Sequence, residues 1–351
     1  MGAAVESGRM PVGLVGAGGV GRMHVERALR SDAVEIVAIA DPTDAGRAFA
    51  GQVNIPWFAD HRSMLEKARL RAVIVATPNA THVAVGLDCI ARGLAVLVEK
   101  PIADTVEQAQ RLCDAAAAAR VPLLVGHQRR HSAIVRRARA LLQAGVLGRP
   151  VSATVMCVWL KPDAYYDMAW RREPGGGPVL INLIHDIDLL RHFLGEITCV
   201  QAVTSSRVRG FAVEDTAAVL LQFANGALGT VSVSDTVVAP WNYDLAAGEA
   251  AHYPRQDIDS HYLCGTEGSL TLPRLEVWRY RGARGWHEPL TVERSAVHQL
   301  DPYAEQLRHL RAVVEGREEP VCPGTDGLQT LAATRAELAA AASGQPTRIS
   351  P

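Results

Sequence analysis

Val12-Gly13-Leu14-Val15-Gly16-Ala17-Gly18-Gly19-Val20-Gly21 sets the fold of this chain. An apolar strand, residues 12–15, runs into a turn with glycine at 16, 18 and 21, and a helical pattern follows over 20–29. Each glycine has its own reason. Gly16 permits the tight turn, Gly18 lets backbone approach a pyrophosphate closely, and Gly21 allows the helix to pack against the strand. The helix N-terminus offers N–H groups and a positive dipole end to the phosphates. Gly16, Gly18, Gly19, Val20 and Gly21 are therefore read as a dinucleotide-binding loop. Asp41 closes the next strand twenty residues after Gly21, where a carboxylate accepts hydrogen bonds from the adenosine ribose hydroxyls. It would repel a 2′-phosphate, so the expected cofactor is NAD rather than NADP.

Working outward, apolar runs at 12–15, 36–40, 72–76, 95–98 and 123–125 alternate with helical patterns at 20–29, 81–91 and 105–119. Strands that alternate with helices imply right-handed crossovers and a doubly wound parallel sheet, an α/β Rossmann domain over residues 1–126. Ligands bind such sheets at the carboxyl ends of the strands. Two stretches end there. Thr77-Pro78-Asn79-Ala80-Thr81-His82 follows the third of these strands and reads as a contact to the cofactor ribose and nicotinamide through Thr77, Pro78, Asn79 and His82, with His82 by itself a packing or capping residue rather than a catalyst. Glu99-Lys100-Pro101 follows the fourth. The proline holds Lys100 out of the helical region, and the strand end turns it to the cleft. Lysines occur only at 67, 100 and 161, so one at this edge is less a casual surface charge than a chosen ammonium.

After residue 126 the pattern changes. A basic amphipathic helix, 132–144, is followed by alternating strands at 152–160, 199–205, 217–223 and 227–235, with Asn225-Gly226 as a hairpin turn between the last two. Further strands are expected at 269–272 and 276–280, and a helix at 180–194 interrupts the series. This predicts an α+β second domain over 127–300 with a large, open, mainly antiparallel sheet. Its uncovered face, with Val219, Leu221, Val231 and Val233 as the alternating residues expected to line it, predicts a homodimer or homotetramer. The tail, 301–351, reads as helices without a strand of their own that pack back on the first domain.

Composition narrows the function classes. Basic and acidic residues balance at 36 and 37, which gives no electrostatic reason for a nucleic-acid or membrane partner. No run of about eighteen apolar residues suggests a membrane span, and residues 1–10 are polar and lead straight into a strand, so a cytoplasmic protein is expected. The six cysteines lie far apart without a CxxC pair, which points to buried thiols and to no metal site.

The motifs GAGGVG, Asp41, ATPNATH and EKP, with Trp170-Arg171, the run Gly175-Gly176-Gly177 and His185-Asp186-Ile187-Asp188, together resemble the Gfo/Idh/MocA oxidoreductases. The resemblance covers essentially the whole chain and extends to the tail at 313–331. It implies an NAD-dependent dehydrogenase or reductase acting on the CH–OH group of a sugar, inositol or related polyol. His185 would then be the acid/base, Lys100 its partner at the substrate oxygen, and Glu99, Trp170 and Arg171 part of the cofactor site. A histidine suits proton transfer near neutral pH, and a fixed ammonium stabilises developing alkoxide charge. Ile181, His185, Asp188 and His192 share a helical stripe, which lets Asp188 orient the region of His185. Family members often carry aspartate four residues before that histidine; here the position is Ile181, followed by Asn182. Substrate contacts are expected from Gln128, Arg130, Asn182, Asp188, Trp241 and Tyr243, within a wall that includes 161–172 and the long loop 239–261. That loop also reads as an Ω-loop or a subunit contact. The alternatives are a non-catalytic NAD-binding sensor on the same fold and an NAD-assisted, glycosidase-like enzyme.

Overall fold

The structure is a computed structural model that describes residues 8–349; the start of the polar N-terminal stretch lies outside them. The chain divides into two compact units, residues 1–131 with 301–331, and 132–300 with 332–351.

The first unit alternates β1 (Met10–Val15), α1 (Gly19–Ala28), β2 (Val34–Ala40), α2 (Asp44–Gln52), β3 (Trp57–Phe58), α3 (His61–Lys67), β4 (Ala72–Val75), α4 (Asn79–Ile90), β5 (Ala95–Glu99), α5 (Val106–Ala119) and β6 (Leu123–Gly126). All six strands pair in parallel in the order β3-β2-β1-β4-β5-β6. The order reverses at β1 and β4, so the ends of these two strands form the switch point at which such sheets hold ligands. β4 and β5 are buried along their whole length, as strands covered on both faces must be. The helices α2, α3 and α5 start on Thr43, Asp60 and Thr105, whose side chains each accept a backbone N–H of the first turn.

The second unit holds α6 (Ala133–Gln143), β7 (Pro150–Val158), α7 (Ile184–Leu194), β8 (Ile197–Ser205), β9 (Thr216–Phe223), β10 (Leu228–Ser234), α8 (Tyr243–Ala247), β11 (His261–Gly265), β12 (Ser269–Leu272), β13 (Glu276–Arg279) and β14 (Thr291–Arg294). The tail adds α9 (Pro302–Val314), which belongs to the first unit, then α10 (Gly324–Ser343) and β15 (Thr347–Arg348). The nine-stranded sheet runs β14-β13-β12-β11-β7-β10-β9-β8-β15. Only β7 and β10 pair in parallel; the other neighbours are antiparallel. The β9–β10 hairpin turns at Asn225-Gly226, where Gly226 takes φ 87°.

Three expectations need correction. The tail does carry a strand, since Thr347 and Arg348 pair with Val200 and Cys199 on β8. Val219, Leu221, Val231 and Val233 face the hydrophobic core, not the open face of the sheet. The alternation was right and its phase was inverted: Val203, Leu220, Leu228 and Tyr262 point outward and are 41–72% exposed. The helix at 180–194 opens with a π-helical turn at Val179–Leu183 before α7, which offsets Ile181 from the stripe it would share with His185 in an unbroken α-helix.

Candidate active site

In the first unit the glycine loop behaves as its spacing implies. Gly16 has φ 93°, and a Cβ there would sit 2.5 Å from the Ala76 carbonyl oxygen at the end of β4. A Cβ on Gly21 would meet the Gly16 oxygen at 2.0 Å, so neither position admits a side chain. Gly18 and Gly19 are different. None of the described residues, their chain neighbours and the helix's own backbone aside, lies within 4 Å of a Cβ on either, so their bareness leaves space in front of the helix and not inside the fold. α1 also begins with no side-chain cap and no acidic residue in its first turn. A helix end with open N–H groups, positive dipole and clear approach fits a pyrophosphate, and the residues present fit a dinucleotide.

Asp41 is 8% exposed at the end of β2. Its Oδ2 accepts the Ala17 N–H at 2.7 Å, and its Oδ1 accepts the Thr43 N–H at 2.9 Å and the Thr43 hydroxyl at 2.5 Å. Burial alone would raise this carboxyl; the hydrogen bonds from Thr43 and Ala17, with the charge of Arg22, outweigh it and hold Asp41 ionised below the usual range. Gly46 is glycine because a Cβ would lie 2.4 Å from that carboxylate.

The Thr77 and Lys100 loops are tied together by His82. It is almost fully buried, with Nδ1 2.9 Å from the Pro101 carbonyl oxygen and Nε2 2.8 Å from that of Thr77. Both ring nitrogens are engaged by backbone, so His82 fixes the edge loops from behind. Burial pushes its pKa down. α4 starts beside it at Asn79 without a side-chain cap. Glu99, the last residue of β5, is buried and accepts from His24 at 2.8 Å and from the Lys100 N–H at 3.3 Å. Burial raises its carboxyl, but the His24 hydrogen bond and the charges of His24, Lys100 and His82 more than offset this. Lys100 itself is half-buried and joined to Pro101 through a cis peptide. Gln128 and Arg130 lie on a short 3₁₀ turn after β6. Gln128 is partly exposed, whereas Arg130, expected as a substrate contact, is 2% exposed and binds the Val321 carbonyl and the Asp326 carboxylate. Its guanidinium holds the tail in place.

In the second unit, His185 stands half-buried in the first turn of α7, and Asp186 and Asp188 beside it are buried. His261 Nε2 lies 3.3 Å from Asp186. The glycine run serves packing: a Cβ on Gly176 would meet the Trp170 carbonyl oxygen at 2.3 Å, and one on Gly177 the Glu214 carboxylate at 2.1 Å. Trp170 is 49% exposed, and the Arg171 guanidinium stacks 3.8 Å over the Tyr165 ring while donating to its carbonyl at 2.6 Å. Trp241 is exposed. Tyr243, expected on the wall of a loop, opens the short helix α8, is 2% exposed and faces Ser132 at 3.2 Å; its ring is spent on packing.

A cavity of about 630 Å³ opens in this unit, lined among others by Trp159, Lys161, Tyr165, Asn182, Tyr253 and Gln256. Of the expected substrate residues, only Asn182 lines it. Lys161 lay inside the stretch 161–172 but was not singled out; its rarity as one of three lysines was the available signal. Among the described residues, no group of three or more His, Cys, Asp or Glu is placed to hold a metal ion, and no helix is long and apolar enough to cross a membrane.

Fold and loop geometry together define a nicotinamide-dependent oxidoreductase of the Rossmann type, and comparison with known proteins gives the family. Residues 10–127 match the oxidoreductase family with an NAD-binding Rossmann fold, GFO/IDH/MocA, and residues 135–271 match the GFO/IDH/MocA C-terminal domain. A 1,5-anhydro-D-fructose reductase from Ensifer adhaerens is 30% identical over 343 residues, spanning 96% of this chain and 98% of that protein. An inositol 2-dehydrogenase from Rubrobacter xylanophilus is 27% identical over 360 residues, spanning 98% and 94%. The WlbA dehydrogenase of Bordetella pertussis, solved with NADH and UDP-GlcNAcA, shares the fold with a TM-score of 0.80 over 98% of this chain and 99% of that one, at 24% identity. This chain belongs to the GFO/IDH/MocA family and is an NAD-dependent oxidoreductase.

Proposed function

We propose that the chain interconverts a secondary alcohol and the corresponding ketone on a sugar, inositol or related polyol, with Lys100 and His185 handling the proton. The observation that carries this is the pair of chemical groups itself. One of only three lysines closes a strand at the ligand-binding edge of the Rossmann sheet, and a histidine opens the helix after the glycine run. The named reductase and inositol dehydrogenase support a hydroxylated carbon skeleton as substrate.

The glycine loop and the α1 N-terminus would hold the pyrophosphate, Asp41 the adenosine ribose, and the loops at Thr77–Asn79 and Glu99–Lys100 the nicotinamide end. Trp170 and Arg171 would contact the cofactor. Bound there, the nicotinamide supplies a hydride acceptor or donor. The chain supplies the rest. An alcohol proton is far too weakly acidic to leave unaided, so the imidazole of His185 takes it as C–H cleavage proceeds, and returns it in the reverse direction. The Lys100 ammonium would stabilise the negative charge developing on that oxygen. Position 181 is isoleucine, so no third acid stands there, and the two groups carry the proton between them.

The division of labour follows the units, with cofactor binding in the first and substrate binding and assembly in the second. We place the protein in the cytoplasm as a homodimer or homotetramer joined through the outer face of the nine-stranded sheet, where Val203, Leu220, Leu228 and Tyr262 are exposed. Absorbance at 340 nm with NAD⁺ and a panel of inositols, sugars, alditols and sugar acids tests the reading: at least one must reduce the cofactor, and silence across the panel overturns it.

A further inference from the structure

The substrate-side cavity has an unusual balance of charge and hydrogen-bonding groups. Lys161 is the only lining residue with a formal charge, and no carboxylate lines the cavity. The lysine side chain is only 6% exposed, and Lys161 lines the cavity. Nζ donates to Asn182 Oδ1 at 2.7 Å and lies 4.6 Å over the Tyr165 ring. Behind it, Asp235 Oδ2 is 3.5 Å away, but that carboxylate is shared: it also takes the Tyr166 hydroxyl and lies 3.3 Å from Arg209 Nε. Two cations thus divide one buried anion, and among the described residues the remaining N–H of Lys161 has no further hydrogen-bond acceptor. Burial pushes the Lys161 pKa down despite Asp235.

Asn182 points the same way. It lies in the π-helical turn at Val179–Leu183, one turn before His185, and its carbonyl is occupied by Lys161. Its amide N–H₂ makes no hydrogen bond within the described residues. Wide turns of this kind occur often at functional sites because they re-aim side chains. The Lys161–Asn182 pair on the cavity lining is therefore rich in donors and poor in acceptors. A hydroxyl needs both to be satisfied, whereas a carboxylate is acceptor-only and charged. Gln256 and Tyr253 on the same lining can serve hydroxyl groups, and Trp159 adds an apolar face.

We infer that Lys161 and Asn182 form a carboxylate-binding subsite, so that the preferred substrate is a polyhydroxylated acid, a sugar acid, with its carboxylate at this pair. The inference rests on the proposed reaction at the His185 helix and narrows its substrate.

The test uses the NAD⁺-loaded full chain with matched pairs, each sugar acid of four to six carbons against its neutral counterpart, for example gluconate against glucitol. The acid should exceed its neutral partner at least about tenfold in kcat/KM, and Lys161→Met should erase that margin by raising KM about 30-fold or more, leaving the neutral partner within about threefold. Asn182→Leu leaves the Lys161–Asp235 pair in place and should cost about tenfold on the acid alone, so it decides the matter should Lys161→Met fail to fold. Calorimetric binding of the same pairs needs no turnover. Lys161-dependent binding of an acid without turnover supports the subsite and overturns the proposed reaction. Equal use or binding of acid and neutral partner, margins unmoved by the variants, or no binding of either, overturns the subsite.

Discussion

The Asp41 carboxylate accepts the Ala17 N–H at 2.7 Å, so the residue proposed to read the adenosine ribose also pins the glycine-rich turn. Oδ1 is consumed by Thr43, which leaves Oδ2 with one lone pair for a ribose hydroxyl under the proposed binding mode. An ionised carboxylate there should favour NAD over NADP by at least about tenfold in kcat/KM, about 1.4 kcal/mol. Asp41→Ser should narrow the ratio, because Arg22, whose Nε holds the Ala17 carbonyl at 3.0 Å, then meets a 2′-phosphate without a competing anion. Because the anchor to Ala17 weakens as well, the same variant should lose affinity for NAD. Steady-state kinetics with both cofactors checks this.

Two glycines in one loop should respond differently. Gly18→Ala adds a methyl group into open space, so melting should stay within a few degrees of the parent while the dissociation constant for NADH rises about tenfold or more. Gly21→Ala drives a Cβ to 2.0 Å from the Gly16 oxygen and should lower stability by several kcal/mol, about what a forced overpacking costs. Fluorescence titration with NADH and thermal melts separate the two.

Glu337 on α10 is almost fully buried, has no hydrogen-bond partner at either oxygen, and stands near Glu214, whose own carboxyl burial raises. Burial, then the Glu214 charge, push the Glu337 carboxyl well above its ordinary value. A raised carboxyl favours folding fully below its unfolded pKa of about 4.3, and that advantage is lost as pH rises through the folded pKa. Glu337→Leu should therefore stabilise the protein at pH 7–8, by about 1 kcal/mol or more, and the gain should vanish near pH 4. Melts across that range test it.

The dinucleotide half was legible because its chemistry is local. Backbone geometry demands glycine at 16 and 21, and the register of β1 and β2 places Asp41. Short elements escaped: β3 has two residues, and α2 and α3, nine and seven residues long, are rich in small or polar side chains. In the second unit period-two alternation located β9 and β10, but alternation alone carries no sign, so the inward face was read as the outward one. Arg130, Tyr243 and Lys161 were misjudged or passed over because Asp326, Ser132 and Asn182, which they bind, lie 196, 111 and 21 residues away. No spacing rule reaches that far.

The outward face of the nine-stranded sheet, with Leu220 53% and Leu228 57% exposed, should be covered by a second copy. Light scattering at micromolar concentration should give a dimer or tetramer, and Leu220→Asp should shift it toward monomer. A monomer for the parent protein rules out this assembly.

The most direct test of the proposed chemistry is the single-turnover rate of NADH formation on the best substrate, measured for the parent, His185→Ala, Lys100→Met and the double variant. Each single change should slow the step by about 10²–10⁴, the usual worth of a positioned acid/base. The double variant should lose little more than either, since groups that act as one unit are not additive. NADH affinity should fall little, because the pyrophosphate and ribose contacts proposed for Gly16–Gly21 and Asp41 are untouched. A His185→Ala protein that turns over at near the parental rate would contradict the assignment.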